Sequence, residues 1–596
     1  MADVIRKLLG LLSQRERRHA YFLFAMILVM AFLDVIGIAS IMPFMAVLAN
    51  PETVQSNELL YSAYSTFGFR SSEDFMFFLG LVVFGVLVIS VCFKALTSWM
   101  IIQFIRMREY SISRRLVAGY LRQPYEWFLG RHSADLGKSV LSEVEMVVNG
   151  GVMPLMQLLA HGTVVVAILL LLVAIDPLLS VVVGVGMGGT YGVIYLGLRR
   201  MLDRVGKERV DVNEKRFKAI SEAFGGIKEV KLGALEHNTL SRFDVPARRF
   251  ARVRAIAQVA SIIPRYLLEI ITFGGMLVLL LYLMRSAEGL QGALPVIAVY
   301  ALAGYRLMPA LQVSYNNATM LRFSGPALDR LYQDIDELAA ASQSESAKER
   351  SIVAKKLISL DRVTYCYPGA NRPALEKLSL DVAAQTTIGL VGSTGSGKTT
   401  TVDIILGLLD PQQGALCVDG VAINSENRRA WQRTLGYVPQ QIFLADETVA
   451  ANIAFGVPKD RIDPQAVKRA ARIANLHDFV VDEMPHGYDT LVGERGIRLS
   501  GGQRQRIGIA RALYHEPTVL ILDEATSALD NLTEQAVMDA VHNLAGEITI
   551  VLIAHRLTTV RECDRIYLLE HGVLAGEGTY DDLKNENAQF RSMAGV

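Results

Sequence analysis

Residues Gly392-Ser393-Thr394-Gly395-Ser396-Gly397-Lys398-Thr399 decide how this chain is read. Closely spaced glycines let a backbone turn tightly and aim successive N–H groups inward, which makes a cradle for phosphate oxygens. Ile388-Gly389-Leu390-Val391 leads into the loop as an apolar strand, and Thr399 to Leu409 is apolar at helical spacing. The expected context is strand, loop, helix, with the positive end of the helix added to the cradle. In that geometry Lys398 reaches the β- and γ-phosphates of a nucleotide and Thr399 meets Mg²⁺. The cradle as a whole runs from Gly392 to Thr400.

Outward from the loop, a second acidic element follows. Val519-Leu520-Ile521-Leu522 is an apolar strand ending in Asp523-Glu524. Asp523 is expected to hold Mg²⁺, and Glu524 to polarise an attacking water. Between the two elements lies Leu499-Ser500-Gly501-Gly502-Gln503, followed by an apolar-periodic run from Ile507 to Leu513. That pattern places Ser500 and the glycine pair at a helix N-terminus, suited to a phosphate.

The three strings together resemble the Walker A, Walker B and signature motifs of ATP-binding cassette (ABC) ATPases. Ser527-Ala528-Leu529-Asp530 resembles that family's D-loop, and Gly493-Glu494-Arg495-Gly496 its loop before the signature. The resemblance implies ATP and Mg²⁺ as cofactors. It also implies that Tyr367 stacks on adenine, that Gln440 senses Mg²⁺ and water, and that His555 contacts the γ-phosphate. Gln441 rivals Gln440, but the Gly-Tyr-Val-Pro-Gln context favours Gln440. A lone histidine after a strand is usually structural; its spacing from the acids is what sets His555 apart. In the family the signature serves the ATP held by the opposite subunit. One copy of each motif in this chain therefore implies a dimer with two shared sites, most simply a homodimer.

The first half of the chain is of another kind. Hydrophobic residues make up 51% of the 596 residues and charged residues 20%, with a mean hydropathy of +0.31. A soluble protein is rarely so apolar. The net charge of +1 gives no case for nucleic acid as a partner. Cys92, Cys366, Cys417 and Cys563 have no metal-type spacing and read as reduced thiols. Six apolar stretches run approximately over Tyr21–Leu48, Phe75–Trp99, Gly151–Ile175, Leu178–Leu198, Val259–Met284 and Ala293–Val313. Each reaches the ~20 residues that cross ~30 Å of hydrocarbon as a helix.

Arginine and lysine crowd the connections between spans 2 and 3 and between spans 4 and 5. The opposite side carries the acidic segment Pro51–Asp74. The positive-inside rule then puts the N-terminus and the two long loops in the cytoplasm. Those loops are rich in helix formers and poor in Gly and Pro, apart from Gln123-Pro124 and Gly225-Gly226, and should continue the helices well beyond the membrane. The pattern resembles the six-helix half of an ABC exporter in a bacterial inner membrane. The expected fold is thus an all-α transmembrane domain over 1–326, an exposed linker over 327–356, and an α/β ATPase domain over 357–596.

Ionisable residues inside spans are costly and functional by default. Here they are Asp34, Lys94, His161, Arg265, Glu269 and Arg306. Lys94, Arg265 and Arg306 together suit a phosphate or pyrophosphate head group. An internal reading stands beside it: Arg265 and Glu269 are spaced to pair on one helix face, and Lys94 can snorkel. The segments around Asp34…Met42-Pro43-Phe44, Pro264-Arg265 and Tyr305-Arg306-Leu307-Met308-Pro309 resemble bacterial flippases for lipid-linked oligosaccharides in protein N-glycosylation. Asp34 and Lys94 stand where those flippases would be expected to have Glu and Arg. The resemblance implies a membrane lipid-linked cargo; exporters of lipid A, phospholipid or hydrophobic drugs, and a regulatory subunit that transports nothing, remain the alternatives.

Overall fold

The computed structural model describes residues 2–594 apart from Arg70, His132, Asp176, 285–288, 342–350, 525–530, Asn543, Ala545 and His555. Two compact units emerge, Met1–Gln123 with Arg131–Ser342, and Pro124–Gly130 with Gln343–Val596.

The first unit is helical. Ser13 caps the helix Gln14–Ala39 through a reciprocal box with Glu16. The helix stops at Ser40 and restarts as Ile41–Ala49, where Pro43 has no N–H to continue the ladder. Two short helices, Thr53–Ser56 and Glu58–Thr66, follow in the acidic segment Pro51–Asp74. Val54 in the first of them is buried with Val47 and Phe75, and Tyr64 meets the Phe75 ring edge-on. Four long helices then carry the unit: Ser72–Leu121, Pro177–Gly225, Glu236–Met284 and Gly289–Ala341. The first has 50 residues. At 1.5 Å per residue it spans about 75 Å, more than twice the ~30 Å of a bilayer core.

Among the described residues, four stretches are long and apolar enough to cross a membrane: Gln14–Leu48, Ser72–Leu121, Asp135–Ile175 and Glu236–Gly275. The remaining two expected spans lie in helices Pro177–Gly225 and Gly289–Ala341. The long helices break where Gln123-Pro124 and Gly225-Gly226 interrupt them, and short helices follow at Tyr125–Leu129 and Ile227–Leu232. Buried charge ties the polar ends together. Arg209 meets Glu143 at 2.6 Å, and Asn213 donates to the same carboxylate.

The expected linker needs correcting at its N-terminal end. The helix Gly289–Ala341 runs straight through Ala327. Leu328, Leu331 and Leu338 are buried along it. Their spacing is an apolar stripe, which outweighs the polar composition of the neighbouring segment.

The second unit holds ten strands among its described residues: β1 Leu357–Tyr365, β2 Leu375–Ala383, β3 Thr387–Val391, β4 Gln413–Val418, β5 Val421–Ala422, β6 Leu435–Val438, β7 Val519–Asp523, β8 Thr549–Ile553, β9 Arg565–Glu570 and β10 Val573–Gly578. An antiparallel sheet has the order β2-β1-β4-β5, and a mostly parallel one the order β10-β9-β3-β8-β7-β6. The central strands β3, β7 and β8 are buried along their whole length. Strands covered on both faces read as unbroken apolar runs, which is how Ile388 and Val519 announced them. Leu390 pairs with Ile553, and Ile553 with Asp523. The loop after β3 and the acids after β7 therefore leave from one edge of the sheet, where ligands of such sheets bind.

Candidate functional site

The loop after β3 turns through three glycines at positive φ: Gly392 at 151°, Gly395 at 79° and Gly397 at 103°. A Cβ at Gly392 would lie 2.3 Å from the Leu569 carbonyl oxygen, and one at Gly397 would lie 2.7 Å from Leu375 Cδ2. No other residue fits either place. The loop feeds the helix Lys398–Ile405. Lys398 Nζ donates to the carbonyls of Gly392 (2.8 Å) and Ser393 (3.0 Å), so the ammonium lies within its own loop. Burial pulls its pKa down, against an upward pull from Glu524 and Asp523. The Ser396 hydroxyl is buried and makes no hydrogen bond among the described residues. An orphaned hydroxyl inside a ring of glycines, beside a lysine with only carbonyls to hold, fits a phosphate chain. Thr399 is exposed at the same helix start, as a Mg²⁺ ligand needs to be.

The acids close the other side. Asp523 is buried at the end of β7 and accepts from Tyr437 Oη at 3.4 Å. Gln440 Nε2 donates to Glu524 Oε2 at 2.7 Å. The two residues singled out for water and metal are thus already joined. Glu524 adopts φ 48°, a left-handed conformation uncommon outside glycine, and its N–H reaches the Ile553 carbonyl at 3.2 Å. Strain of this kind costs about 1–3 kcal/mol and gathers at functional sites. Asp403, on the inner face of the loop helix, is pushed up to about 6 by burial and then by the Asp523 charge.

Tyr367 is half-buried, and its hydroxyl lies 3.1 Å from Thr400 Oγ1. Its ring stands edge-on to Tyr365 at 5.1 Å, and Tyr365 Oη donates to Glu126 Oε1 at 3.2 Å. Ser500 caps the helix Gly501–Leu513 in a reciprocal box with Gln503, leaving the glycine pair exposed in part at its first turn. Arg495 in the preceding loop is also left-handed, at φ 52°. His555 and Ser527–Asp530 lie outside the described residues. The sequence reading missed Asp403, Tyr437 and the Tyr365–Glu126 pair. An acid five positions after Lys398 in an apolar run was a visible signal for the first. Nothing local foretold a partner 239 positions away for the last.

Comparison with known proteins decides what carries this site. A family model described as "ABC transporter" matches residues 375–527, and one described as "ABC transporter transmembrane region" matches residues 20–302. An ATP-dependent lipid A-core flippase of Cupriavidus metallidurans is 33% identical over 490 residues, covering 82% of this chain and 81% of the relative.

The chain belongs to the ABC transporters, as an exporter-type half-transporter.

A Bacillus subtilis ATP-binding/permease protein named for multidrug export, YgaD, is 28% identical over 81% of this chain and 83% of its own length. The solved structure of a bacterial Atm1-family ABC exporter with ATP bound superposes with a TM-score of 0.78 at 23% identity, covering 97% of this chain and 98% of that one. It shares the fold. The protein is a multi-pass membrane ATPase whose cassette hydrolyses ATP to drive export.

Apart from His161, the ionisable residues of the exporter's spans divide into two groups. Arg265 pairs with Glu269 at 2.8 Å on its own helix. Lys94 and Arg306, from two other helices, converge on Asp34 at 4.0 and 2.9 Å. Ser90 Oγ also donates to Asp34, at 2.8 Å. The three cations grouped from sequence are thus each matched to a carboxylate, and Arg265 to a different one from the others.

Proposed function

We propose that this exporter flips a lipid with a phosphorylated, sugar-bearing head group, and that a polyprenyl-pyrophosphate-linked oligosaccharide is the cargo. The observation that carries this reading is the charge cluster on Asp34. It holds two cations and one carboxylate, so it keeps an excess positive charge within the spans. Lys94 and Arg306 retain 39% and 19% of their side-chain exposure. Partly exposed cations at membrane depth face the bundle interior or a water-filled cavity rather than lipid tails. A neutral drug has no use for such charge, whereas a pyrophosphate is bound well by guanidinium and ammonium donors. Lipid A, a phosphorylated glycolipid, is the second reading, favoured by the name of the relatives that match most of the chain.

In this account two copies of the chain share two ATP sites in a bacterial inner membrane, with both cassettes cytoplasmic. Residues up to Ala341 form the membrane half and 357–596 the cassette. Tyr367 stacks on adenine; the loop from Gly392 to Thr400 holds the phosphates; Ser500, Gly501, Gly502 and Gln503 meet the γ-phosphate of the partner copy's nucleotide. Thr399, Gln440 and Asp523 would hold Mg²⁺, which screens phosphate charge during transfer. Glu524 accepts a proton from water, held in place by Gln440, and His555 steadies the γ-phosphate. Mass spectrometry of lipids that copurify with the detergent-solubilised protein tests the cargo. A phosphorylated glycolipid should be enriched over bulk membrane lipid. Enrichment of neutral amphiphiles alone would overturn the reading.

A further inference from the structure

Asp34 is the most deeply placed charge in the spans described above, with 1% of its side chain exposed. Its two oxygens are treated unequally. Oδ1 accepts from both Ser90 Oγ and Arg306 Nη1. Oδ2 is buried and accepts no hydrogen bond among the described residues, and the Lys94 ammonium stands 4.0 Å from it. A carboxylate half-satisfied in this way costs free energy that a purely structural pair would avoid. The cations are arranged the other way. A guanidinium has five N–H donors, and the contact to Asp34 occupies one. The ammonium sits beyond hydrogen-bond range of its partner. The carboxylate is therefore buried against two partly exposed cations that it neutralises only in part.

We infer that Asp34 is the resident counter-ion of an anion site: it holds Lys94 and Arg306 in position when no cargo is bound and yields them to an arriving phosphate group. This rests on the anionic-cargo reading above. A site made of two bare cations would bind a pyrophosphate tightly and release it slowly. A buried carboxylate competing for the same donors lowers the affinity and returns to its partners as the head group leaves. Asp34 is thus a positioning and tuning residue for transport, and Ser90 fixes the oxygen that stays bonded.

The test uses the full chain in nanodiscs, with a short-chain polyprenyl pyrophosphate as probe and the matching polyprenol as neutral control. Asp34→Asn should bind the pyrophosphate more tightly, on the order of ten-fold for one charge-assisted contact released, and the polyprenol unchanged. Its flipping rate in proteoliposomes should fall, and Asp34→Glu should restore both values. A structural role would instead weaken binding and flipping together. Unchanged or weaker pyrophosphate binding by a folded Asp34→Asn overturns the counter-ion role, while a wild-type preference for pyrophosphate over polyprenol leaves the cargo reading intact. Equal wild-type binding of both probes overturns the cargo reading and this inference with it. If Asp34→Asn does not fold, infrared difference spectra of wild type carry the test. Adding the pyrophosphate lipid should shift a carboxylate band that moves in Asp34→Glu, and the absence of any such band overturns the proposal.

Discussion

Asp403→Asn should stabilise this protein at neutral pH and leave it unchanged in acid. Asp403 is buried on the loop helix, and burial, with the Asp523 charge behind it, raises its pKa from 3.8 to about 6. Below 3.8 the group is protonated in both folded and unfolded chains. Between 3.8 and 6 the folded chain keeps a proton that the unfolded chain has lost, so stability falls as pH rises. Above 6 the whole cost is present. A rise of this size is worth about 3 kcal/mol at most. Asparagine keeps the shape and removes the charge, so its advantage should grow from near zero at about pH 4 to about 2–3 kcal/mol at about pH 7.5. The assay is thermal unfolding of the nucleotide-free full chain in nanodiscs across that range. In a domain of this size the gain is worth on the order of 5 °C or more. A difference that stays constant with pH, or that grows toward acid, would refute the argument.

Glu524→Gln should retain ATP binding and slow hydrolysis by about 10²–10⁴-fold, because water loses its proton acceptor; turnover within a few-fold of wild type would remove Glu524 from that role. A dimer of one Lys398→Ala and one Ser500→Arg subunit should keep one intact shared site, since both defects meet in the other. A double-mutant subunit paired with wild type should lose both sites, and equal residual ATPase in the two mixtures would argue against sharing. Leu331→Ala should cost about 2–5 kcal/mol, as for a buried leucine. An exposed linker residue would cost almost nothing, so a silent Leu331→Ala would restore the linker reading.

The cassette was legible in sequence because its chemistry is local. The loop from Gly392 to Lys398 has to contain its glycines, and β3 and β7 have to be apolar throughout, whatever surrounds them. The long helices were legible from the ~20-residue apolar runs and from the helix-forming composition of the loops between them. What escaped was pairwise and distant. The boundary near Ala327 was misplaced because a polar tail after Ala341 shares a window with a helix whose leucines point inward. Arg265 and Arg306 look alike in sequence, yet one is paired four residues along its own helix and the other 272 positions away with Asp34. Only the packing of helices separates them. Asp403 shows in the sequence as an acid in an apolar run; that it shares its surroundings with Asp523 shows only in the fold.

The most direct measurement is ATP-driven translocation in proteoliposomes of two fluorescent glycolipids that differ only in head-group linkage, one a polyprenyl pyrophosphate and one an uncharged polyprenyl glycoside. Wild type should move the pyrophosphate lipid with ATP and leave the uncharged one, and Glu524→Gln should move neither. Equal translocation of both lipids, or steady ATP hydrolysis with neither moved, would contradict it.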